Sequence, residues 1–169
     1  MANTARTRVI VGVFPGQPDA VVDIAAAFAT RFDAELVCAW VDASRYVITE
    51  SADGSVTSMP IDTDLGDTTD HGIPPKLQAQ LTRILEHEKI EWSTRALAGD
   101  PARALGRLGE VLDAAMIVVG TRAATVRGTL QEFFGGSVAA HLAHRQHRPT
   151  VVVPLSPVSF DRELPWEPA

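Results

Sequence analysis

The amino-acid sequence predicts an α/β fold in which a five-stranded parallel sheet carries helices on both faces. Short apolar runs recur along the chain, and between them lie stretches whose apolar residues are spaced three and four apart. Continuous apolar runs are typical of parallel strands buried on both faces, whereas the longer spacing is typical of amphipathic helices. Strand and helix therefore alternate, which favours a doubly wound sheet with right-handed crossovers.

Five stretches are predicted to form the strands of this sheet. Four of them are apolar runs, at residues 9–14, 36–41, 116–119 and 151–153. The stretch at residues 91–98 mixes charged and apolar residues, as an edge strand does. Cys38, the single cysteine, falls inside the second run, so we expect a buried and unreactive thiol in a reducing compartment.

Four helices are predicted between the strands. The apolar stripes of the first three are Val21, Ile24, Ala25, Phe28 and Phe32; Leu77, Leu81, Ile84 and Leu85; and Leu105, Leu108 and Leu112. The third helix has a clear start, because Asp100 can act as its N-cap and Pro101 suits the first helical position. The fourth helix is predicted from about Ser137, ending at Arg148 and Pro149.

Residues 43–75 interrupt the alternation. Two β-like stretches flank Ala52-Asp53-Gly54, whose Asp-Gly pair is typical of a two-residue turn, so a β-hairpin excursion is predicted after the second strand. An acidic connector follows. Its spaced aspartates, such as Asp62 and Asp64, lack the ligand pattern of a calcium loop, which favours a solvated loop.

Composition bounds the remaining possibilities. With 169 residues, 46% hydrophobic, the chain suits one domain at residues 1–155 and a proline-rich tail at residues 156–169. A net charge of -6 argues against a nucleic-acid partner. The apolar stretch near the N-terminus is too short for a signal peptide or a membrane span, so we expect a cytoplasmic protein without a membrane partner.

A loop after the fourth predicted strand has the layout of a phosphate-binding loop. Gly120 ends the strand, Thr121 and Arg122 follow it, and Gly136 and Ser137 precede the last helix. The free N–H groups at the start of a helix suit an anion. The sequence therefore places its candidate site at this loop.

These features together resemble the universal stress protein family. The resemblance rests on the first two strands, on Ala98-Gly99-Asp100-Pro101 before a helix, and on residues 117–122 and 136–154. It implies the strand order 3-2-1-4-5, with residues 91–98 at one edge and a crevice between the first and fourth strands. Open α/β sheets bind ligands at such a switch point.

The resemblance also implies an adenine nucleotide, ATP or a relative, as the ligand. In nucleotide-binding members, a motif of glycine, two residues, glycine, nine residues and glycine with serine or threonine surrounds the phosphates. The implied base contacts are Phe14 and Val41, and the implied phosphate contacts are Gly120, Thr121, Arg122, Ala123, Gly136, Ser137 and Val138, with Arg127 as an additional cation.

Three departures predict that this nucleotide site is altered, and is either weak or empty. Ala123 stands where the motif has its second glycine, and Gly120 and Gly136 are sixteen positions apart where the motif spans thirteen. Phe14 replaces the aspartate that meets the adenosine in family members, although an aromatic ring can stack on a base. Alternatively, Ser137 only caps a helix and a phenylalanine of the loop fills the site.

No enzyme is expected. Ser137 has no identifiable histidine and carboxylate partners for nucleophilic catalysis, and His141 and His144 on the last helix lack a convergent third metal ligand. We therefore expect a non-catalytic stress-response regulator or accessory protein, with no metal. The alternatives are an ATP- or cyclic-nucleotide-binding sensor and an unrecognised nucleotide hydrolase.

A homodimer is the expected assembly. The fifth strand, Thr150–Val153, is the other edge of the sheet, and an exposed edge rich in valine pairs with other strands unless it is covered. Family members usually pair this strand with its copy in a second subunit, which gives a C₂ interface. The tail is expected to cross that interface, with Leu155, Phe160 and Trp166 as anchors.

Overall fold

The computed structural model describes residues 6–62, 72–121 and 138–155, which form seven strands and four helices. In chain order these are β1 (Arg8–Val13), α1 (Ala20–Arg31), β2 (Glu35–Asp42), β3 (Arg45–Glu50), β4 (Val56–Pro60), α2 (Pro75–Leu85), β5 (Trp92–Ala98), α3 (Pro101–Val111), β6 (Met116–Gly120), α4 (Val138–Arg145) and β7 (Thr150–Val153).

Five strands form one parallel sheet in the order β5-β2-β1-β6-β7. This is the predicted order 3-2-1-4-5 once the two hairpin strands are left out of the numbering. The mixed stretch at residues 91–98 is confirmed as an edge strand, β5. The order reverses between β1 and β6, so the switch point lies in the middle of the sheet.

Alternate residues of the sheet face two hydrophobic layers. Val11 and Val118 pack with α1 and α2, whereas Ile10 and Ile117 pack with α3 and α4. Helices therefore cover both faces, as predicted. Cys38 is 0% exposed in the first layer, and burial raises the pKa of its thiol to about 12, as an inert core cysteine requires.

The buried face of α1 differs from the predicted stripe. Ile24 and Phe32 are 38% and 50% exposed, so their assignment to the core was wrong. The residues that α1 buries are Val21, Val22, Ala25, Ala26 and Ala29. The small alanine side chains face the sheet, and the larger Phe28 and Phe32 stack on each other with ring centroids 6.3 Å apart.

The predicted hairpin is confirmed as β3 and β4, which pair antiparallel, but its turn is longer than two residues. The Ser51 N–H donates to the Ser55 carbonyl, and the Gly54 N–H donates to the Ser51 carbonyl. These two hydrogen bonds close a three-residue loop. Gly54 has φ of +78°, and the Asp53 carboxylate accepts hydrogen bonds from the Ser55 N–H and hydroxyl. A loop of this length with glycine in the left-handed region is a common hairpin connection.

The ends of the later helices are set by local hydrogen bonds. Asp100 caps α3 as predicted, because its carboxylate accepts a hydrogen bond of 2.8 Å from the Arg103 N–H. The fourth helix, α4, ends at Arg145 rather than at Arg148. Its predicted start at Ser137, the connector at residues 63–71 and the tail at residues 156–169 lie outside the described residues.

Candidate functional site

The carboxyl ends of β1 and β6 separate at the switch point of the sheet. Pairing between these two strands ends at Val11 and Val118. In contrast, the pairing of β1 with β2 continues to Val13, and the pairing of β6 with β7 continues to Gly120. The switch point, where parallel α/β sheets commonly hold a ligand, therefore lies between these two strand ends.

Several of the candidate residues lie at the carboxyl ends of the strands. Phe14 directly follows β1, Val41 lies near the end of β2, and Gly120 ends β6 with Thr121 after it. Because parallel strands end at the same edge, the fold brings these four residues together. Phe14 is 36% exposed, and Val41 is half-buried.

The remaining candidates come from the loop and from the last helix. Val138 is the first residue of α4, which packs on the same face of the sheet as α3. Five further candidates lie outside the described residues: Arg122, Ala123, Arg127, Gly136 and Ser137. The described part of the candidate site thus consists of the strand ends and the start of α4.

Aliphatic side chains pack against both glycines at the mouth of the crevice. On the α3 side, a Cβ atom at Gly12 would lie 3.0 Å from Cδ1 of Leu105. On the α1 side, a Cβ atom at Gly120 would lie 2.9 Å from Cγ2 of Val21 and 3.0 Å from Cδ1 of Leu155. Both glycines therefore make room for neighbouring apolar groups, and the walls here are apolar.

The backbone of Thr121 is already used inside the sheet. Its N–H donates to the Val153 carbonyl at 2.8 Å, and its Oγ1 accepts from the Leu155 N–H at 2.8 Å. The Thr121 amide is therefore directed at β7 and not at the crevice. A hydroxyl can accept and donate at the same time, so the side chain can still donate a hydrogen bond to an anion.

A polar network that the sequence analysis missed holds the loop between β1 and α1. Gln17 is only 4% exposed, and its Nε2 donates to the Gly12 carbonyl at 3.3 Å. From α2, the Gln80 amide donates to the Gln17 carbonyl and to Asp19, and Arg83 donates to Asp19 at 2.7 Å. The bonds from Arg83 and Gln80 lower the pKa of the Asp19 carboxyl. No local sequence pattern indicated these contacts, which join residues far apart in the chain.

The hairpin forms two clefts with the strands beside it. One cleft of about 200 Å³ lies between the hairpin and the start of α2, and Trp40, Asp42 and Arg45 line it. Arg45 is 6% exposed, and its guanidinium donates to the Ser58 hydroxyl and carbonyl. This interaction fixes the base of the hairpin beside the end of β2.

The second cleft has a volume of about 380 Å³ and lies between the hairpin and α3. Val47, Gly99 and Arg103 are among its lining residues. Phe14 and Gly120 line neither cleft. The ends of β1 and β6 therefore lie outside both clefts.

The described residues offer little for metal chemistry. Across residues 6–62, 72–121 and 138–155, no three His, Cys, Asp or Glu side chains come together as metal ligands would. His141 and His144 are both exposed on α4. Within the same ranges, every helix is too short or too polar to cross a bilayer.

Solved structures of universal stress proteins share this architecture. One from Lactobacillus plantarum has a TM-score of 0.60 and 18% identity, and it covers 89% of this chain and 99% of that chain. A universal stress protein in complex with cAMP has a TM-score of 0.57 and 21% identity, over 90% of this chain and 100% of that chain. One from Archaeoglobus fulgidus in complex with dAMP has a TM-score of 0.54 and 17% identity, and it covers 89% of this chain and 99% of that chain.

These likenesses establish the fold, and the sequence itself establishes the family. No protein of curated function matches the chain significantly. The sequence matches the model of the Universal stress protein family over residues 5–154, which is most of its length. The chain therefore belongs to the universal stress protein family.

Proposed function

We propose that this protein is a non-catalytic, cytoplasmic regulator or accessory protein of the stress response, with an altered adenine-nucleotide site. The site lies in the crevice between β1 and β6, next to Phe14, Val41, Gly120 and Thr121. The observation that supports this proposal is the end of pairing between β1 and β6 at Val11, at the switch point of the sheet.

The class of ligand is supported by two of the similar structures. One was solved in complex with cAMP and the other in complex with dAMP, and both ligands contain adenine and a single phosphate group. Phe14 supplies a partly exposed aromatic ring that can stack on such a base. The hydroxyl of Thr121 can donate to the phosphate.

Weak affinity follows from what surrounds these groups. Val21 and Leu155 close one side of Gly120, so the glycine backbone is not open to a phosphate from that side. The Thr121 N–H is bonded to Val153. A ligand at this position therefore lacks two contacts that an open phosphate loop would offer, and each lost charge-assisted bond lowers affinity about tenfold or more.

Calorimetric titration of the purified protein with ATP, ADP, AMP and cAMP tests the proposal. We expect dissociation constants on the order of 0.1 to 1 mM, because only a few polar contacts remain. Submicromolar binding of any of the four would contradict the altered site. If none of the four gives a heat of binding at millimolar concentration, the proposed nucleotide site is wrong.

A nucleotide sensor is the second candidate. The cAMP and dAMP complexes of similar proteins favour it, since a single phosphate makes smaller demands on the loop than a triphosphate. Tight and selective binding of one nucleotide, with a change in a partner's affinity, would distinguish the sensor from the regulator with a weak site.

We also propose that the protein is a homodimer that pairs through β7. This strand is at the sheet edge, and Val152 on it is 43% exposed. An edge strand of consecutive valines exposes backbone N–H and carbonyl groups to pairing. A second copy of β7 related by a two-fold axis would satisfy those groups in a closed interface.

A further inference from the structure

The hairpin has an inner face that is covered at one end and open at the other. Arg45, Val47 and Ser58 share this face, because Val47 pairs with Ser58 and lies two residues after Arg45. Arg45 is buried at the base of the hairpin, whereas Val47 is 43% exposed and lines the cleft between the hairpin and α3. An apolar side chain on the inner face therefore remains uncovered at this cleft.

The floor of the cleft is apolar and belongs to the core of the molecule. Leu97 and Ala98 at the end of β5 and Leu108 of α3 line it, and all three are buried. Val56 of the hairpin also lines it and packs against the core cluster that contains Leu97 and Leu108. The volume of about 380 Å³ lies in the range of small-molecule sites, about 300 to 1,000 Å³. The cleft is thus large enough for a small ligand with an apolar part.

Contacts at the tip of the hairpin join the walls of the cleft. A Cβ atom at Gly54 would lie 2.5 Å from Cδ1 of Leu108, so the tip rests on α3. From β5, the Arg95 guanidinium donates to the Asp53 carbonyl at 3.3 Å. Because these contacts form the cleft within the chain itself, a ligand does not have to order the hairpin when it binds.

One cation at the rim of the cleft is available to a ligand. Arg107 pairs with Glu50 and with Glu110, each at 3.1 Å. The Asp100 carboxylate accepts a hydrogen bond from the Arg103 N–H, where it caps α3. In the part of the chain that the structure describes, the guanidinium of Arg103 forms neither a hydrogen bond nor an ion pair. Arg103 is therefore the charged group of the cleft with which a ligand can pair.

We infer that this cleft binds a small carboxylate with an apolar chain, whose carboxylate pairs with Arg103 and whose chain lies over Leu97 and beside Val47. A guanidinium group holds a carboxylate through two parallel N–H donors, and the apolar floor takes the chain out of water. A single negative charge suits one available guanidinium. A more highly charged phosphate would also be repelled by Asp100 and Glu50, which line the same cleft.

This carboxylate site is separate from the proposed nucleotide site. Phe14 and Gly120 do not line the cleft. A carboxylate in the cleft and a nucleotide at the strand ends therefore do not compete for the same residues. The cleft gives the protein a second binding activity, which does not depend on whether a nucleotide binds.

Titration with octanoate, followed by backbone amide chemical shifts, tests the site. Octanoate combines one carboxylate with a linear alkyl chain, and 1-octanol has the same chain without the charge. We expect saturable shifts at Val47, Gly99 and Arg103 with octanoate at millimolar concentration, and weaker binding of 1-octanol. Absence of saturable shifts, shifts centred outside the cleft, or equal affinity for 1-octanol would overturn the site.

Arg103→Gln tests the pairing with the carboxylate. Loss of a hydrogen bond to a charged group should weaken octanoate roughly tenfold and leave 1-octanol unchanged. Arg145→Gln removes the same charge from the exposed surface of α4 and is the matched control, which should bind octanoate as the unmodified chain does. Unchanged octanoate affinity in Arg103→Gln, or the same loss in Arg145→Gln, would overturn the assignment.

Val47→Asp tests the wall of the cleft, with Ile48→Asp as its control. Both side chains are exposed, at 43% and 49%, but Ile48 does not line the cleft. Val47→Asp should abolish octanoate binding because it replaces an apolar wall by a negative charge, whereas Ile48→Asp should bind normally, with native circular dichroism in both. Binding that persists in Val47→Asp, or is lost equally in Ile48→Asp, would overturn the site and leave the proposed nucleotide site in place.

Discussion

At the scale of single residues, Phe14 is one of the positions at which the proposed nucleotide site is expected to differ from that of nucleotide-binding family members. The ring follows β1 and is 36% exposed at the mouth of the crevice. It offers a surface for stacking but no acceptor for a ribose hydroxyl. In the proposed site, this position would therefore decide how firmly an adenosine is held.

Replacing Phe14 by aspartate should strengthen ATP binding. A hydrogen bond to a charged group contributes about 1.5 to 3 kcal/mol, which corresponds to roughly a tenfold to hundredfold gain in affinity. Calorimetry on Phe14→Asp and on the control Phe14→Leu measures the effect. If ATP affinity rises equally in both variants, the gain comes from loss of the aromatic ring, which would contradict a role for the carboxylate.

Asp19 ties α1 to α2 in a manner that depends on pH. The bonds from Arg83 and Gln80 lower the pKa of its carboxyl, so the stabilisation is complete above the unfolded value of about 3.9 and is lost as pH falls through the lower folded value. Asp19→Asn should lower the melting temperature at pH 7, and this difference should disappear well below pH 3.9.

Asp23→Asn is the matched control for that experiment. Asp19 is the N-cap of α1 and Asp23 lies in its first turn, so both variants lose a favourable interaction with the helix dipole. A loss of melting temperature in Asp19→Asn that equals the control, or that persists at pH 2, would show that the contact with Arg83 contributes nothing measurable.

Residues differ in how well the sequence indicates their role. Phe14, Val41 and Gly120 could be placed together because each lies where a predicted parallel strand ends. Gln17 and Leu155 could not, because their roles arise from contacts with Gln80 and Gly120, far away in the chain. No local pattern marks a glutamine or a leucine as part of such a pair.

At the scale of elements, the hairpin is fixed to α3 by its tip. A Cβ atom at Gly54 would lie 2.5 Å from Cδ1 of Leu108, so the glycine backbone rests directly on the helix. Arg107 of α3 also pairs with Glu50 at 3.1 Å. The hairpin thus lies against α3 and beside the edge strand β5.

Gly54→Ala should destabilise the fold more than Gly16→Ala. Both glycines have positive φ, +78° and +82°, but a Cβ atom at Gly16 meets nothing within 4 Å. Strain of about 1 to 2 kcal/mol is expected at both positions, and overpacking against Leu108 adds about 1 to 3 kcal/mol at Gly54 only. Urea denaturation measures both free energies, and equal losses would mean that the hairpin tip does not dock on α3.

The helices and strands themselves were largely predictable, but the buried face of α1 and the length of the hairpin loop were not. Apolar runs identified the parallel strands because burial on both faces leaves few alternatives. The stripe of α1 was misassigned at Ile24 and Phe32, since spacing alone does not show that alanines face the sheet. The Asp-Gly signal located the hairpin turn, but the bonds of Ser51 set its length.

At the scale of the whole molecule, the proposed dimer depends on β7, the last strand of the sheet in the described part of the chain. Val152→Lys should convert a dimer into a monomer, because it places a charge in a two-fold interface opposite its own copy. Light scattering should then give the chain mass of 18.1 kDa for the variant and twice that mass for the unmodified protein. Ile61→Lys, the same change on the hairpin, should remain dimeric. A monomeric unmodified protein would contradict the interface.

Amide chemical shifts during titration with cAMP would show where on the molecule the ligand binds. They detect weak binding residue by residue. We expect shifts that saturate together at Val41, Gly120 and Thr121 and at the loop after β1, with little change at the cleft between the hairpin and α3. Shifts centred on Gly99 and Arg103 in that cleft, or none at millimolar cAMP, would contradict it.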